Sequence, residues 1–299
     1  MKKLFNLKFR SLFIFDIILI ALVFIAIFAI GSVFDLDFSE VIAISDNIGW
    51  MILSFIFTLP LYMCFAIAIS CLFVVFIAND KKKWWFYVTG MIIVFIVSIV
   101  LMVMDIEEIL SMSGAIASTS VIYLISIIIA VTIELVLLTT STYMTKNKNS
   151  DQLFRVGLFL IIALGVSILF TIIIKYVWGR ARYNDILNSG ATFTNWWNPN
   201  FNEMGVYKSF PSGHVNKAMA IFPLASTLII FYPSLAKRTY NALLTYGALL
   251  FVLLAAFIRV LSGNHFLTDV SMSMLLSGIV YLVTAYFVYV FHYQKKVTD

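Results

Sequence analysis

Two of the three histidines in this chain sit inside polar signatures that interrupt long apolar runs. His214 closes the string Pro211-Ser212-Gly213-His214, and His265 lies between Arg259 and Asp269 in a stretch that also carries Ser262, Gly263 and Asn264. A third, basic cluster of Lys175, Arg180 and Arg182 lies upstream. Charges at a membrane boundary are expensive to hold together unless something binds them, so the three segments read as one His-centred anion site. The chemistry that such a site supports is phosphate chemistry on a membrane substrate.

Each segment has its own physical logic. His265 and Asp269 are four residues apart and share a helical face, so the carboxylate can hold one imidazole nitrogen. That fixes the tautomer and leaves the other nitrogen free to attack, although an isolated pair of this kind is also a common structural arrangement. Pro211 and Ser212 favour a helix start, and Gly213 lets the backbone approach a ligand, so amides exposed there form an anion cradle beside His214. Lys175 and Arg182 are seven apart, two helical turns, and share a face if the helix persists past the bilayer edge. Arg brings a planar fork for phosphate oxygens and Lys a point charge; a snorkelling belt at a helix end is the other reading. Arg180 reads as an auxiliary contact or, with slight preference, as a charge facing the lipid headgroups.

The elements that must position these residues are membrane helices. The chain is 62% hydrophobic and 12% charged, against about a quarter charged in soluble domains, which makes it an all-α polytopic bundle. Eight stretches reach the length needed to cross hydrocarbon: 12–33, 51–78, 84–104, 113–139, 156–175, 214–232, 242–262 and 267–291. No linker or internal repeat divides them. The first reads as a retained span rather than a cleaved signal peptide, because no small-residue cleavage site follows it.

Connecting segments alternate in sign. Lys2, Lys3, Lys8 and Arg10, then Lys81 to Lys83, then Lys146, Lys148 and Arg155, then Lys237 and Arg238, and finally Lys295 and Lys296 alternate with acidic stretches. The acidic ones hold Asp35, Asp37, Glu40 and Asp46, and later Asp105, Glu107 and Glu108. Basic loops in the cytoplasm put both termini inside a cell (inner or plasma) membrane. Six basic residues then fall at the outer face: Lys175, Arg180, Arg182, Lys208, Lys217 and Arg259, all on or beside the three signatures. The net charge of +5 is thus a matter of topology and of the site, not of nucleic acid.

Several other residues draw a structural reading. Cys64 and Cys71 are small apolar packing residues. His292 belongs to the cytoplasmic interface, and Glu134, near the inner end of the fourth span, is satisfied by snorkelling or by a neighbour. Asp105, Glu107 and Glu108 form a solvated outer loop. Trp196-Trp197-Asn198-Pro199 is either an aromatic lid at the headgroup level or an interfacial anchor.

Taken in order, the three signatures resemble those of the type 2 phosphatidic acid phosphatase family: K-x6-R-P, then P-S-G-H, then S-R-x5-H-x3-D. Lys175 to Arg182, Pro211 to His214, and Arg259 through His265 to Asp269 match in spacing. Tyr183 replaces the family's Pro and Ile258 its Ser. The resemblance runs over residues 84–291 and implies two extra N-terminal spans (1–83) before a six-span core (84–299). It implies that His265 attacks phosphorus, oriented by Asp269, and that His214 serves the leaving oxygen as acid and then water as base. Lys175, Arg182, Ser212, Gly213 and Arg259 would hold the phosphate oxygens, with no metal or other cofactor. The implied partners are the bilayer and a lipid phosphate or diphosphate: undecaprenyl diphosphate, phosphatidic acid or phosphatidylglycerol phosphate. A phosphotransferase and a non-catalytic anion-binding or transport protein are the alternatives, while eight spans argue against a haloperoxidase of the same superfamily.

Overall fold

The computed structural model describes residues 7–44, 47–78, 84–113 and 118–291. Among them the chain forms helices and turns with no strand, as it must where every backbone polar group has to be bonded within its own segment. The α-helices are α1 (Leu7–Ile42), α2 (Ile48–Ala78), α3 (Trp84–Ser113), α4 (Thr119–Thr145), α5 (Ser150–Trp178), α6 (Tyr183–Ser189), α7 (Gly213–Ala218), α8 (Ile221–Phe231), α9 (Arg238–Leu261) and α10 (Leu267–Ala285). A π-helical segment, Tyr286–Phe291, continues the last one. Among the described residues, eight helical segments are long and apolar enough to cross a membrane, with α7 and α8 together making the sixth. The number agrees with the apolar runs.

The boundaries differ where charge is involved. Helix α1 runs past residue 33 to Ile42, kinked at Phe34, and α3 runs past residue 104 to Ser113. Asp35 and Asp105, expected in loops, are therefore helical and buried, because each meets a basic partner, Arg180 and Lys217 respectively. Lys2, Lys3, Asp46, Lys81 to Lys83, His292, Lys295 and Lys296 lie outside the described residues.

Helix α2 runs through the middle of the bundle and packs on α3, α4, α5, α7, α8 and α9. Tyr62, Cys64, Ala66, Ile67, Ala68 and Cys71 are all fully buried along it. Both thiols are free, and that of Cys64 lies 3.5 Å from the carbonyl oxygen of Ala220, a packing role. Helix α1 lies along α10. The two spans that the sequence sets apart from the six-span core are thus packed into one bundle with it.

Alternating direction decides what meets at each end. The C-terminal ends of α1, α3, α5 and α9 gather with the N-terminal ends of α2, α7 and α10; the amide of Ile44, for instance, donates to the Leu261 carbonyl at 2.7 Å. At the opposite end Lys148 Nζ donates to the Phe231 carbonyl at 2.5 Å, and Gln152 to that of Ile230 at 2.9 Å. All three signatures fall at the first of these ends.

Helix α5 begins on Asn149, whose side chain accepts from the amides of Asp151 and Gln152, and ends on Gly179 in the left-handed conformation (φ 60°, ψ 27°). A β-carbon at Gly179 would be strained by that φ and driven into the carbonyl oxygen of Asn200. We expect Gly179→Ala to cost more than about 1 kcal/mol, read as a lower thermal unfolding midpoint of the detergent-solubilised protein.

Candidate active site

The loop Ser262–Phe266 wraps the end of α9: the amides of Asn264 and His265 both donate to the Arg259 carbonyl, at 3.2 and 3.1 Å. This turns the His265 side chain inward, where it is 1% exposed. Asp269 sits in the first turn of α10 and is held from three directions. Its Oδ2 accepts from the Phe266 amide at 2.9 Å and from Ser209 Oγ at 2.5 Å, and its Oδ1 from Arg180 Nη1 at 2.6 Å. Nδ1 of His265 lies 3.6 Å from Asp269 Oδ2, facing the carboxylate, which leaves Nε2 as the outward nitrogen. Burial pushes the imidazole well below its ordinary pKa, against the opposing pull of Asp269. At neutral pH the ring is uncharged and keeps a nitrogen lone pair.

Arg180 corrects the sequence reading. The left-handed Gly179 stops α5, so the helix does not persist to carry Lys175 and Arg182 on one face. Arg182 becomes the N-cap of α6 instead, and Arg180 turns into the protein, 1% exposed rather than facing headgroups. Its guanidinium lies 4.4 Å from the centre of the Phe266 ring and 5.4 Å from that of Phe193. Nε donates to the Thr194 carbonyl at 2.9 Å, Nη1 to Thr268 Oγ1 as well as Asp269, and Nη2 to Asp35 Oδ2 at 2.8 Å. Five donors in a rigid fork suit this bridging role better than a lysine would.

The second histidine is tied to the same helix end. Ser212 caps α7, its hydroxyl 3.5 Å from the Val215 amide; its own amide donates to the Asp269 carbonyl at 3.0 Å, and Ser273 Oγ donates to its carbonyl at 2.8 Å. His214 follows, 16% exposed, with Nε2 3.8 Å from Glu108 Oε2 and 3.9 Å from Asp105 Oδ1. The charges of Arg259, Lys217, His265 and Lys175 all act on it. Those of Arg182 and Arg259, opposed by Asp269 and Glu108, act on Lys175. A β-carbon on Gly213 would lie 3.9 Å from the Lys175 ammonium, ordinary contact, which places this backbone and the cation side by side. Arg182 Nη1 donates to Asn264 Oδ1 at 3.4 Å. Arg259 is buried, with Nη1 3.3 Å from Ser54 Oγ and 3.7 Å from Met51 Sδ of α2.

The residues expected to do chemistry therefore lie at one end of the bundle. Others diverge from expectation. Asp105 is not part of a solvated loop: it is 5% exposed, bonded to Lys217 Nζ and to Tyr62 Oη, both at 2.5 Å. Glu134, by contrast, takes the second of its two readings: it is fully buried and accepts from the neighbouring Ser98 Oγ at 2.9 Å. Lys208 is exposed. Trp196 docks on α1, donating to Ser32 Oγ at 2.8 Å with its ring 4.7 Å from Phe28, while Trp197 stays exposed. Tyr183, standing for a proline, packs edge-on to Phe266, and Ile258 is buried. Asp35, Ser209 and Tyr62 were invisible in sequence: each acts through a partner at least 43 residues away, and only the interruption of an apolar run marks Asp35.

Residues 156–293 match the family model described as the PAP2 superfamily, a stretch that holds all three signatures but none of Asp35, Tyr62 or Asp105. No curated protein and no solved structure matches the chain.

Removing the guanidinium would leave two buried carboxylates facing one another. We expect Arg180→Gln to destabilise the folded protein by about 3–5 kcal/mol, the usual result of breaking a buried ion pair from one side. Thermal unfolding in detergent measures it.

Proposed function

We propose that this chain is an integral membrane lipid-phosphate phosphatase working through a phosphohistidine, a reading supported by the match of residues 156–293 to the PAP2 superfamily, whose members are phosphatases of phosphate esters. One observation carries the proposal: a neutral, buried His265, backed by an anchored Asp269, shares a cationic cluster with a half-buried second histidine.

With Nδ1 turned toward Asp269, Nε2 of His265 supplies the electron pair that forms the N–P bond as the ester P–O bond breaks. His214 gives its proton to the departing oxygen. In the second half a water attacks phosphorus, His214 takes its proton, and the N–P bond breaks to return His265 and free phosphate. Asp269 stabilises the imidazolium in between. Lys175, Arg182 and Arg259, with Ser212 and the Gly213 amide, hold the equatorial oxygens; such positioning and charge stabilisation carry most of phosphoryl transfer. No step in this scheme calls on a metal.

The distribution of basic loops supports a site at the extracytoplasmic face with both termini inside, and substrate arriving laterally from the bilayer. Undecaprenyl diphosphate, phosphatidic acid and phosphatidylglycerol phosphate are the lipid candidates. The outward face favours the first.

The test is phosphate release by purified protein across those three lipids with EDTA present. Wild-type release should survive chelation, and His265→Ala and His214→Ala should each lose at least about a thousandfold in turnover while staying folded. Wild-type-like hydrolysis by a folded His265→Ala protein would sink the mechanism.

A further inference from the structure

The nucleophile's carboxylate does not work alone. Arg180 lies between two buried acids, Nη1 on Asp269 and Nη2 on Asp35 at 2.8 Å, and the second acid comes from α1, outside the family match. Asp35 is 4% exposed. Its Oδ1 accepts the Thr268 amide at 3.0 Å, and its Oδ2 accepts from Arg180 and from Thr268 Oγ1. Both oxygens face donors, the pattern of an ionised carboxylate.

The placement is built. Phe266, the residue that opens α10, has no side-chain oxygen to cap the helix, and Asp35 takes the orphan Thr268 amide from another span. Helix α1 reaches this close because of Gly31: a β-carbon there would come within 2.8 Å of Leu267 Cβ and 2.9 Å of the Thr268 nitrogen. A second tie, Trp196 to Ser32, holds the same turn of α1 against the loop before the second signature.

Charge gives the placement a consequence. One guanidinium between two carboxylates leaves one net negative charge, and it faces Nδ1 of His265. Were Asp35 absent, Arg180 and Asp269 would cancel, and the imidazolium of a phosphorylated His265 would form against a neutral pair in a buried site. We propose that Asp35 is a positioning residue for catalysis: it takes up half of Arg180, so that Asp269 keeps its charge for His265. The inference rests on the phosphohistidine reading of the site.

The experiment compares kcat, KM and the rate of acid-trapped phosphoenzyme formation in wild type, Asp35→Asn, Asp37→Asn and the double variant Asp35→Asn/Arg180→Gln, each checked for folding by thermal unfolding. Asparagine keeps an oxygen for the Thr268 amide, removes the charge, and turns an amide donor toward Arg180 and Thr268 Oγ1 in place of the second acceptor oxygen. Asp35→Asn should lower kcat and phosphoenzyme formation on the order of ten- to a hundredfold, with KM moved less than about threefold. The exposed Asp37→Asn control should match wild type. The double variant, which removes the cation together with the acid, restores the net negative charge. Asp269 loses its Arg180 bond but keeps those from Ser209 and the Phe266 amide, so this variant should be faster than Asp35→Asn. If the single variant does not fold, the double variant should still show measurable turnover. Wild-type kcat in Asp35→Asn, or a folded double variant that is no faster than the single or is inactive, would overturn the role of Asp35 alone. A wild-type protein that releases no phosphate from any lipid would overturn the reading of the site and this role with it.

Discussion

The arrangement depends on one buried cation. Arg180 is enclosed by protein, yet it meets Asp35, Asp269, Thr268 and the Thr194 carbonyl, and it stacks on Phe266. An isolated guanidinium at such a depth is costly, and the cost is offset only if every donor finds a partner. Satisfying it therefore fixes the first span, the loop after the fifth, and the start of the last in one relation. The His265–Asp269 pair inherits its geometry from that requirement: Asp269 cannot rotate without releasing Arg180, and His265 faces whatever orientation Asp269 keeps.

The second histidine is arranged differently. His214 is partly open, beside a half-exposed Glu108 and a buried Asp105 that is itself held by Lys217 and Tyr62. In the proposed scheme a rigid, enclosed His265 is thus paired with a more accessible second histidine. That division suits chemistry in which one group must stay aligned with phosphorus while the other exchanges protons with a leaving group and then with water.

What the sequence revealed was whatever is local. His265 and Asp269, four residues apart, do face one another, although His265 lies in the loop before α10 and not on a shared helical face. Ser212 caps the helix that carries His214, and eight apolar runs became eight spans, because each pattern is written within a few residues. Long-range charge pairing was hidden. Asp35 and Arg180 are separated by 145 positions, and neither spacing nor composition distinguishes a buried acid from one in a loop. Loop charges were assigned by sign and position, which misplaced Asp105 because Lys217 draws it into the bundle. Helical periodicity likewise joined Lys175 to Arg182 across Gly179, where a single left-handed residue turns the chain and aims Arg180 inward.

The trans cap on α10 also bears on how the protein is made. Asp35 and Thr268 are 233 residues apart, so the acid is synthesised and inserted long before its partner exists. Arg180 arrives in between, and Asp269 last. Chains are built from the N-terminus, and until the final span enters, the Asp35–Arg180 pair lacks the hydroxyl, amide and second carboxylate that complete it. The last helix thus brings the partners that Asp35 and Arg180 lack without it, and the candidate site is complete only when the bundle is.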